Sequence, residues 1–277
     1  MVTDEVLREL CERFKTNGYV VVEDYLDDYV VRACLNEFET VLRARVGNEG
    51  DEDARFGRLE ALGCVAQVNA PREADAYDAN VNHRARGRSS VCDAIVSETL
   101  TRKGAIGSIA IALLGHDDTR LFNDQYVAKP PARADSALRA SCFEWHRDSQ
   151  WCDDGEDGSN VPYLSCWVAL DDVSEENGTL RMLPYPPAAS EATHRERASA
   201  YPPMSDLPSP MSGDACEDCG RLLTIRAGSV VFFSDVVFHC SGPNLSESIR
   251  RAWMPQFSAG PIVRADGSPV SLVARIE

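Results

Sequence analysis

A succession of short β-rich runs in the second half of the chain constrains the fold more than any other feature of the sequence. From about residue 120 onward, apolar runs alternate with Gly, Pro, Asn and Asp, the residues of turns. Eight runs stand out, at residues 120–128, 143–148, 163–170, 178–183, 221–225, 229–233, 236–240 and 251–257. They predict a mainly β fold with a double-sheet jelly roll as its core and argue against an α/β fold.

The first 118 residues have a helical pattern. Residues 3–17 and a second segment ending near residue 42 carry apolar side chains at helical spacing, and a third helix is predicted over about 91–114. Residues 46–90 are predicted as a long loop or a partly disordered insertion, and residues 186–220 as a loop excursion between strands. We therefore predict one domain over residues 1–277, in which a helical part (about 1–118) flanks the jelly-roll core (about 119–260).

The composition narrows the class of partner. The chain has 277 residues, of which 44% are hydrophobic, and a formal net charge of -16. This charge disfavours nucleic acid or an anionic membrane as a partner. The sequence contains no apolar run of membrane-spanning length and no signal-peptide pattern, so we expect a cytoplasmic protein. The ten cysteines are expected to be mostly buried thiols, and the sequence does not indicate an oligomeric state.

The triplet His146-Arg147-Asp148 at the end of one β run is a candidate metal site. Side chains two residues apart in a strand point to the same face, so an imidazole and a carboxylate at this spacing can hold one ion. The triplet alone is a weak signal, because chance supplies roughly 0.8 His-x-acid pairs in such a chain. His239, after the apolar run 236–238, completes a two-histidine, one-carboxylate triad, which suits non-haem iron(II).

An arginine follows His239 at a distance that a hairpin can close. Turn residues 241–244 come first, and Arg250 and Arg251 open another β run. A guanidinium in a cavity is suited to a bidentate grip on a carboxylate, such as the far carboxylate of 2-oxoglutarate. Arg251 takes the place of Arg250 if the hairpin register shifts by one residue, because such a shift reverses the facing of every side chain.

Motifs spread over most of the chain resemble those of one enzyme family. In chain order they are GYVVV (18–22), NDQ (123–125), KPP (129–131), WHRD (145–148), WVALDD (167–172), ENGTL (176–180), HCSGPN (239–244) and RRA (250–252). On these motifs the chain resembles the phytanoyl-CoA dioxygenase family of iron(II)- and 2-oxoglutarate-dependent oxygenases. The resemblance implies a cupin-like double-stranded β-helix that uses Fe(II), 2-oxoglutarate and O2. It also implies hydroxylation of a C–H bond with release of succinate and CO2.

The resemblance further implies roles for individual side chains. His146, Asp148 and His239 match the family's iron ligands. Arg250 matches the arginine that binds the far carboxylate of 2-oxoglutarate, and Ser241 matches a residue that often assists it. Three more side chains are implied to line or contact the co-substrate pocket: Trp167, Gln125 and Lys129.

The residues leave the substrate open. Arg147 stands where many relatives carry a smaller polar residue, and its guanidinium beside the iron could affect substrate choice. Asp148 argues against the halogenating variant of these enzymes, which lacks this carboxylate. A small-molecule substrate is expected, although Arg195, Arg197 and His194 could supply part of a site for an acyl-CoA.

Two alternative functions also stay open. One is a non-catalytic jelly-roll binding protein that keeps the triad as a relic, and the other is a cupin-type metalloenzyme that does not use 2-oxoglutarate. Arg250 distinguishes the cupin-type metalloenzyme from a 2-oxoglutarate-dependent oxygenase, because the former does not need an arginine that binds 2-oxoglutarate. Some features are expected to be incidental or structural: the pair Cys216 and Cys219, the acidic stretch 153–157, His83, His116, His194, and the aromatic residues Trp145, Trp151, Tyr126 and Tyr163.

Overall fold

A computed structural model of the chain describes residues 2–68, 93–132, 141–151, 161–189, 193–210, 220–262 and 274–275. In these ranges the α-helices are α1 (Asp4–Asn17), α2 (Asp28–Val46), α3 (Glu52–Ala61), α4 (Ala94–Thr99), α5 (Ala105–Leu114) and α6 (His194–Ser199). The strands are β1 (Tyr19–Val22), β2 (Val65–Gln67), β3 (Arg120–Lys129), β4 (Phe143–His146), β5 (Tyr163–Ala169), β6 (Leu180–Leu183), β7 (Arg221–Leu222), β8 (Val230–Ser234), β9 (Phe238–Ser241), β10 (Arg250–Ser258) and β11 (Ala274–Arg275).

The strands form two antiparallel sheets. The larger, seven-stranded sheet has the order β1-β8-β5-β10-β3-β11, with β2 also paired to β3. The smaller sheet has the order β4-β9-β6-β7. Each of the eight β runs identified in the sequence overlaps one of these strands. The predicted jelly-roll core with flanking helices is therefore confirmed.

Alternation along the strands separates two hydrophobic clusters. In β5, Cys166 packs with the helices, whereas its neighbour Trp167 packs between the two sheets. In β10, Trp253 faces the helices and Ala252 faces the space between the sheets. Because side chains alternate along a strand, this register directs Arg250 towards the inter-sheet space. Within the described ranges four cysteines are buried free thiols, as predicted: Cys34, Cys64, Cys166 and Cys240.

The helical part differs from the prediction at two places. The single helix predicted over 91–114 is wrong, because the chain turns sharply between α4 and α5. Gly104 makes this turn possible, since a Cβ atom there would lie 2.2 Å from the carbonyl oxygen of Glu98. The loop predicted over 46–90 contains α3, which Asp51 caps by accepting a hydrogen bond from the Ala54 amide at 2.9 Å, and it also contains β2.

The excursion predicted over 186–220 contains one short helix in its described part. Thr193 and Glu196 form a capping box at the start of α6, which explains why a helix begins inside a segment rich in Pro, Ser and Ala. Among the helices of the described ranges, none has the length and apolarity needed to cross a membrane.

Gly178 allows a close contact beside the inter-sheet space. Its φ of +74° lies in the left-handed region, and a Cβ atom would lie 2.5 Å from the backbone oxygen of Gly242. The Gly178 carbonyl oxygen accepts a hydrogen bond of 2.8 Å from Nη2 of Arg250. A glycine is therefore required here both for the turn and for the position of an arginine partner.

We expect Gly178→Ala to lower the free energy of unfolding by about 1–3 kcal/mol, because it adds steric overlap and backbone strain. Gly57→Ala is a matched control in α3, where a Cβ atom meets nothing within 4 Å. This control should raise the free energy of unfolding by roughly 0.4–1 kcal/mol. Urea unfolding of both variants measures the difference, and equal effects would contradict the assigned role of Gly178.

Candidate metal centre and co-substrate pocket

Three predicted ligands lie together at one end of the smaller sheet. His146 at the end of β4 is the cross-strand partner of His239 in β9, and their ring centroids are 4.1 Å apart. Asp148 follows two residues after His146 and directs Oδ1 towards both rings. This oxygen lies 3.9 Å from Nε2 of His146 and 3.6 Å from Nε2 of His239. The ligand atoms all lie within 4.8 Å of one another, which is close enough to hold a single ion.

The backbone orients both imidazole rings. Nδ1 of His146 lies 2.7 Å from the Glu144 carbonyl oxygen, and Nδ1 of His239 lies 3.1 Å from the Val237 carbonyl oxygen. These contacts favour the tautomer with hydrogen on Nδ1, so the Nε2 lone pairs point towards Asp148. Burial, together with the nearby His146, lowers the pKa of His239 to about 4. The ring is therefore neutral at pH 7, the state in which histidine ligates a metal.

Arg250 carries two buried donor atoms with no partner among the described residues. Its side chain is 1% exposed, and it lines the same cavity of about 710 Å³ as the triad. Nη2 donates to the Gly178 carbonyl oxygen, whereas Nε and Nη1 are buried without a hydrogen-bond partner. The guanidinium carbon lies 5.4 Å from the centre of the Trp167 ring. Buried unpaired donors are costly, so this arrangement fits a carboxylate ligand.

The charge state of Arg250 is compatible with binding a carboxylate. Burial lowers its pKa to about 10, so the side chain remains a cation at pH 7. Its neighbour Arg251 points to the other face of β10 and pairs with Asp171, with Nε 3.0 Å from Oδ2. Arg250 lines the cavity, and Arg251 is not among the residues that line it.

Lys129 and Ser241 form one unit at the wall of the cavity. Lys129 is fully buried, and its Nζ atom donates to Oγ of Ser241 at 2.6 Å and to the carbonyl oxygens of Ser241 and Gly242. Burial and then the nearby Arg250 hold the pKa of Lys129 well below its usual value. Three acceptors thus surround Nζ of Lys129, and one of them, Oγ of Ser241, belongs to a residue that lines the cavity. Lys129 therefore fixes the Ser241 hydroxyl.

Gln125 lies in a row of uncharged side chains at another part of the cavity. Its Oε1 atom accepts hydrogen bonds from Gln67 at 2.7 Å and from Asn123 at 3.1 Å. The β3–β10 register places Gln125 opposite Met254, four residues from Arg250, which corresponds to about 13 Å along a strand. We call Gln67, Asn123 and Gln125 the amide row.

The sequence analysis missed four residues of the site, which are Gln67, Asn123, Ser165 and Gln256. Gln256 and Ser165 contact Asp148, and Gln67 belongs to the amide row. The alternation of β10 is a signal that indicates Gln256, because it lies six residues after Arg250 and therefore on the same face. Alternation likewise indicates Ser165, two residues before Trp167 in β5, and Asn123, two residues before Gln125 in β3, whereas no comparable pattern marks Gln67.

Other residues considered in the sequence lie in different places. Trp145 and Tyr163 line the cavity, whereas Tyr126 packs with the helices and donates from its hydroxyl to Glu37 at 2.8 Å. His116 is exposed. Several predictions fall outside the described residues or side chains: those on Cys216 and Cys219, the acidic stretch 153–157, His83, and the side chains of Trp151, His194 and Arg195.

The lowered pKa of His239 predicts how the metal-free protein responds to acid. In the unfolded chain a histidine has a pKa near 6.5, so between about pH 6.5 and pH 4 the unfolded chain binds more protons than the folded one. The protein should therefore lose stability as the pH falls through this window. Urea unfolding with a chelator present measures the loss. It should be smaller in His239→Leu, and an equal loss in both proteins would contradict the buried neutral ring.

The chain is similar to several known proteins. An ectoine dioxygenase of Bordetella bronchiseptica is 25% identical over 260 residues, which cover 88% of this chain and 72% of that protein. The structure of SnoK, a non-heme alpha-ketoglutarate-dependent carbocyclase from nogalamycin biosynthesis, superimposes with a TM-score of 0.58 at 19% identity, covering 98% of this chain and 94% of that one. The epimerase SnoN, in complex with Fe3+, alpha ketoglutarate and nogalamycin RO, gives a TM-score of 0.54 at 19% identity, covering 92% and 84%.

The two solved structures show that the fold is shared. The sequence profile of the family described as phytanoyl-CoA dioxygenase (PhyH) matches residues 14–252 of the chain, which is most of its length. The family predicted from the motifs is thereby confirmed. The chain belongs to the phytanoyl-CoA dioxygenase family of iron- and 2-oxoglutarate-dependent oxygenases.

Proposed function

We propose that the protein is an Fe(II)- and 2-oxoglutarate-dependent dioxygenase that hydroxylates a C–H bond of a small polar molecule. The observation that carries this proposal is the pair of unpartnered nitrogens of Arg250 in the same cavity as His146, Asp148 and His239. A metalloenzyme without a carboxylate co-substrate has no use for a buried, unpaired guanidinium.

The triad residues are proposed to hold iron(II). Two imidazoles and one carboxylate leave the other metal positions open, as the non-haem iron oxygenases require. When bound, the iron and 2-oxoglutarate supply the chemistry that consumes O2, releases succinate and CO2 and oxidises the substrate. The protein contributes a neutral His239, which ligates at pH 7 without first losing a proton.

Arg250 is proposed to bind the far carboxylate of 2-oxoglutarate through Nε and Nη1. The Gly178 carbonyl and the Trp167 ring restrict the guanidinium, so little side-chain freedom is lost when the ligand binds. Ser241 is proposed to donate its hydroxyl hydrogen to the same ligand, because Lys129 already donates to its oxygen. Lys129 thus acts through Ser241 rather than by direct contact.

The amide row is proposed to bind the substrate. Oε1 of Gln125 is occupied by two donors, while its Nε2 atom has no hydrogen-bond partner among the described residues. This leaves an uncharged donor facing the cavity. Among the described lining residues Arg250 is the single lysine or arginine, and it is assigned to the co-substrate. The lining therefore favours a polar substrate without phosphate groups over an acyl-CoA.

Two observations support hydroxylation as the outcome. Asp148 supplies the carboxylate that the halogenating variant lacks, and the curated relative at 25% identity is named a dioxygenase. The solved structures include an epimerase and a carbocyclase, so the fold is compatible with other outcomes as well. Analysis of the oxidised product distinguishes these reactions.

Anaerobic addition of Fe(II) and 2-oxoglutarate to metal-free protein tests the cofactor assignment. We expect a weak visible charge-transfer band in the wild type and none in His239→Ala. Arg250→Ala should weaken 2-oxoglutarate binding by at least about 30-fold, because it removes the charged partner of a buried carboxylate. Arg251→Ala is the matched control, because Arg251 pairs with Asp171 and does not line the cavity.

The outcomes separate the proposed function from its alternatives. A folded protein that binds iron but gives no band with 2-oxoglutarate would be a metalloenzyme that uses another reaction. A folded protein that binds no iron would be a jelly-roll binding protein.

The substrate class is tested by succinate release in the presence of O2. Ectoine and a neutral polyol are suitable polar probes, and a long-chain acyl-CoA is the contrasting probe. We expect the acyl-CoA to leave succinate release at its basal level, because the described lining offers no second cation for its phosphates. If the acyl-CoA stimulated succinate release in the wild type, and Gln125→Met abolished that stimulation, the proposal of a polar substrate without phosphate groups would be wrong.

A further inference from the structure

The two carboxylate oxygens of Asp148 have different surroundings. Oδ1 faces the two imidazoles, at 3.9 Å from His146 and 3.6 Å from His239. Oδ2 points away from them and accepts hydrogen bonds from the Ser165 hydroxyl and from Nε2 of Gln256, the latter at 3.0 Å. These two hydrogen bonds fix the orientation of the carboxylate.

Ser165 and Gln256 also contact one another, which fixes the direction of each hydrogen bond. Nε2 of Gln256 donates to Oγ of Ser165 at 2.7 Å, so the Ser165 hydroxyl hydrogen is left for Asp148. Oε1 of Gln256 accepts from Nδ2 of Asn123 at 2.9 Å. Because a carboxylate only accepts, the Gln256 amide must direct its NH2 group to Asp148, and Asn123 holds it in that orientation.

The three residues connect the two sheets through a buried contact. Ser165 and Gln256 are cross-strand partners in β5 and β10 of the larger sheet, whereas Asp148 follows β4 of the smaller sheet. Ser165 is fully buried, and Gln256 and Asp148 are each 6% exposed. Buried hydrogen bonds to a charged group are strong and are not weakened by competing water.

We propose that Ser165 and Gln256 are positioning residues that hold Oδ2 of Asp148. As a result, Asp148 coordinates the metal through a single oxygen, Oδ1. The inference rests on the proposed function and goes beyond it. One-oxygen coordination keeps a metal position open that a two-oxygen carboxylate would fill. Removing a hydrogen-bond partner of a metal ligand typically weakens metal binding by roughly 10- to 100-fold.

Cobalt(II), used alone as a spectroscopic probe, tests the proposal without 2-oxoglutarate or substrate. Ser165→Ala and Gln256→Met each remove one hydrogen bond to Oδ2. We expect each variant to bind cobalt about 10- to 100-fold more weakly than the wild type. We also expect the visible cobalt bands to change, because the second oxygen becomes free to coordinate.

Two further variants distinguish positioning from a general structural effect. Met254→Leu changes a cavity-lining side chain two residues before Gln256 in β10, and Met254 has no assigned role, so cobalt affinity and spectrum should match the wild type. Ser165→Thr keeps a hydroxyl and should bind cobalt more tightly than Ser165→Ala. Urea unfolding of each protein shows that it is folded under the conditions of the titration.

The results separate this proposal from the proposed function. If the wild type binds cobalt while Ser165→Ala and Gln256→Met keep its affinity and spectrum, the positioning role is wrong and the oxygenase assignment is unaffected. If the wild type binds no cobalt, or binds it unchanged in His239→Ala, the metal site itself and the proposed function fail. Weakening in both variants together with altered bands supports the positioning role.

Discussion

The cross-strand pairing of His146 with His239 is the interaction on which the rest of the site depends. This pairing brings two imidazoles to a centroid distance of 4.1 Å, and the turn after β4 adds Asp148 on the same side. Burying these three polar side chains costs free energy, because each of them loses its hydration by water. Backbone contacts to Nδ1 of both rings and hydrogen bonds to Asp148 offset part of that cost.

Strands of the larger sheet line the cavity opposite this triad. Its strands β5 and β10 present Trp167, Ser165, Arg250 and Gln256 to the inter-sheet space by simple alternation. The site is thus divided between two sheets: the two histidines and Ser241 lie on the smaller sheet, whereas Arg250 and the partners of Asp148 lie on the larger one. The distance between the sheets, set by the residues packed between them, therefore determines the geometry of the whole cavity.

The sequence predicts the strands and the ligand set better than it predicts the local supports. Two kinds of feature can be recognised from the linear sequence alone. One is the alternation of apolar residues in the eight β runs, and the other is the unusual grouping of residues in the motifs 145–148 and 239–252. The contacts of Ser165 and Gln256 with Asp148 form only when the two sheets pack together, so the sequence does not reveal them. The break at Gly104 likewise depends on how α4 and α5 pack. The choice between Arg250 and Arg251 required the actual strand register, whereas the single-domain assignment stays a prediction.

The short strand β2 forms part of the cavity wall. It pairs with β3 through three residues, and Arg45 of α2 holds it by donating to the carbonyl oxygens of Gln67 and Val68 at 2.7 and 2.9 Å. Gln67 therefore reaches the cavity from this short strand, while the residues proposed to bind iron and 2-oxoglutarate belong to other segments of the chain. Because the amide row is proposed to bind the substrate, substitutions in β2 or of Arg45 are expected to change substrate preference while the three proposed iron ligands keep their positions.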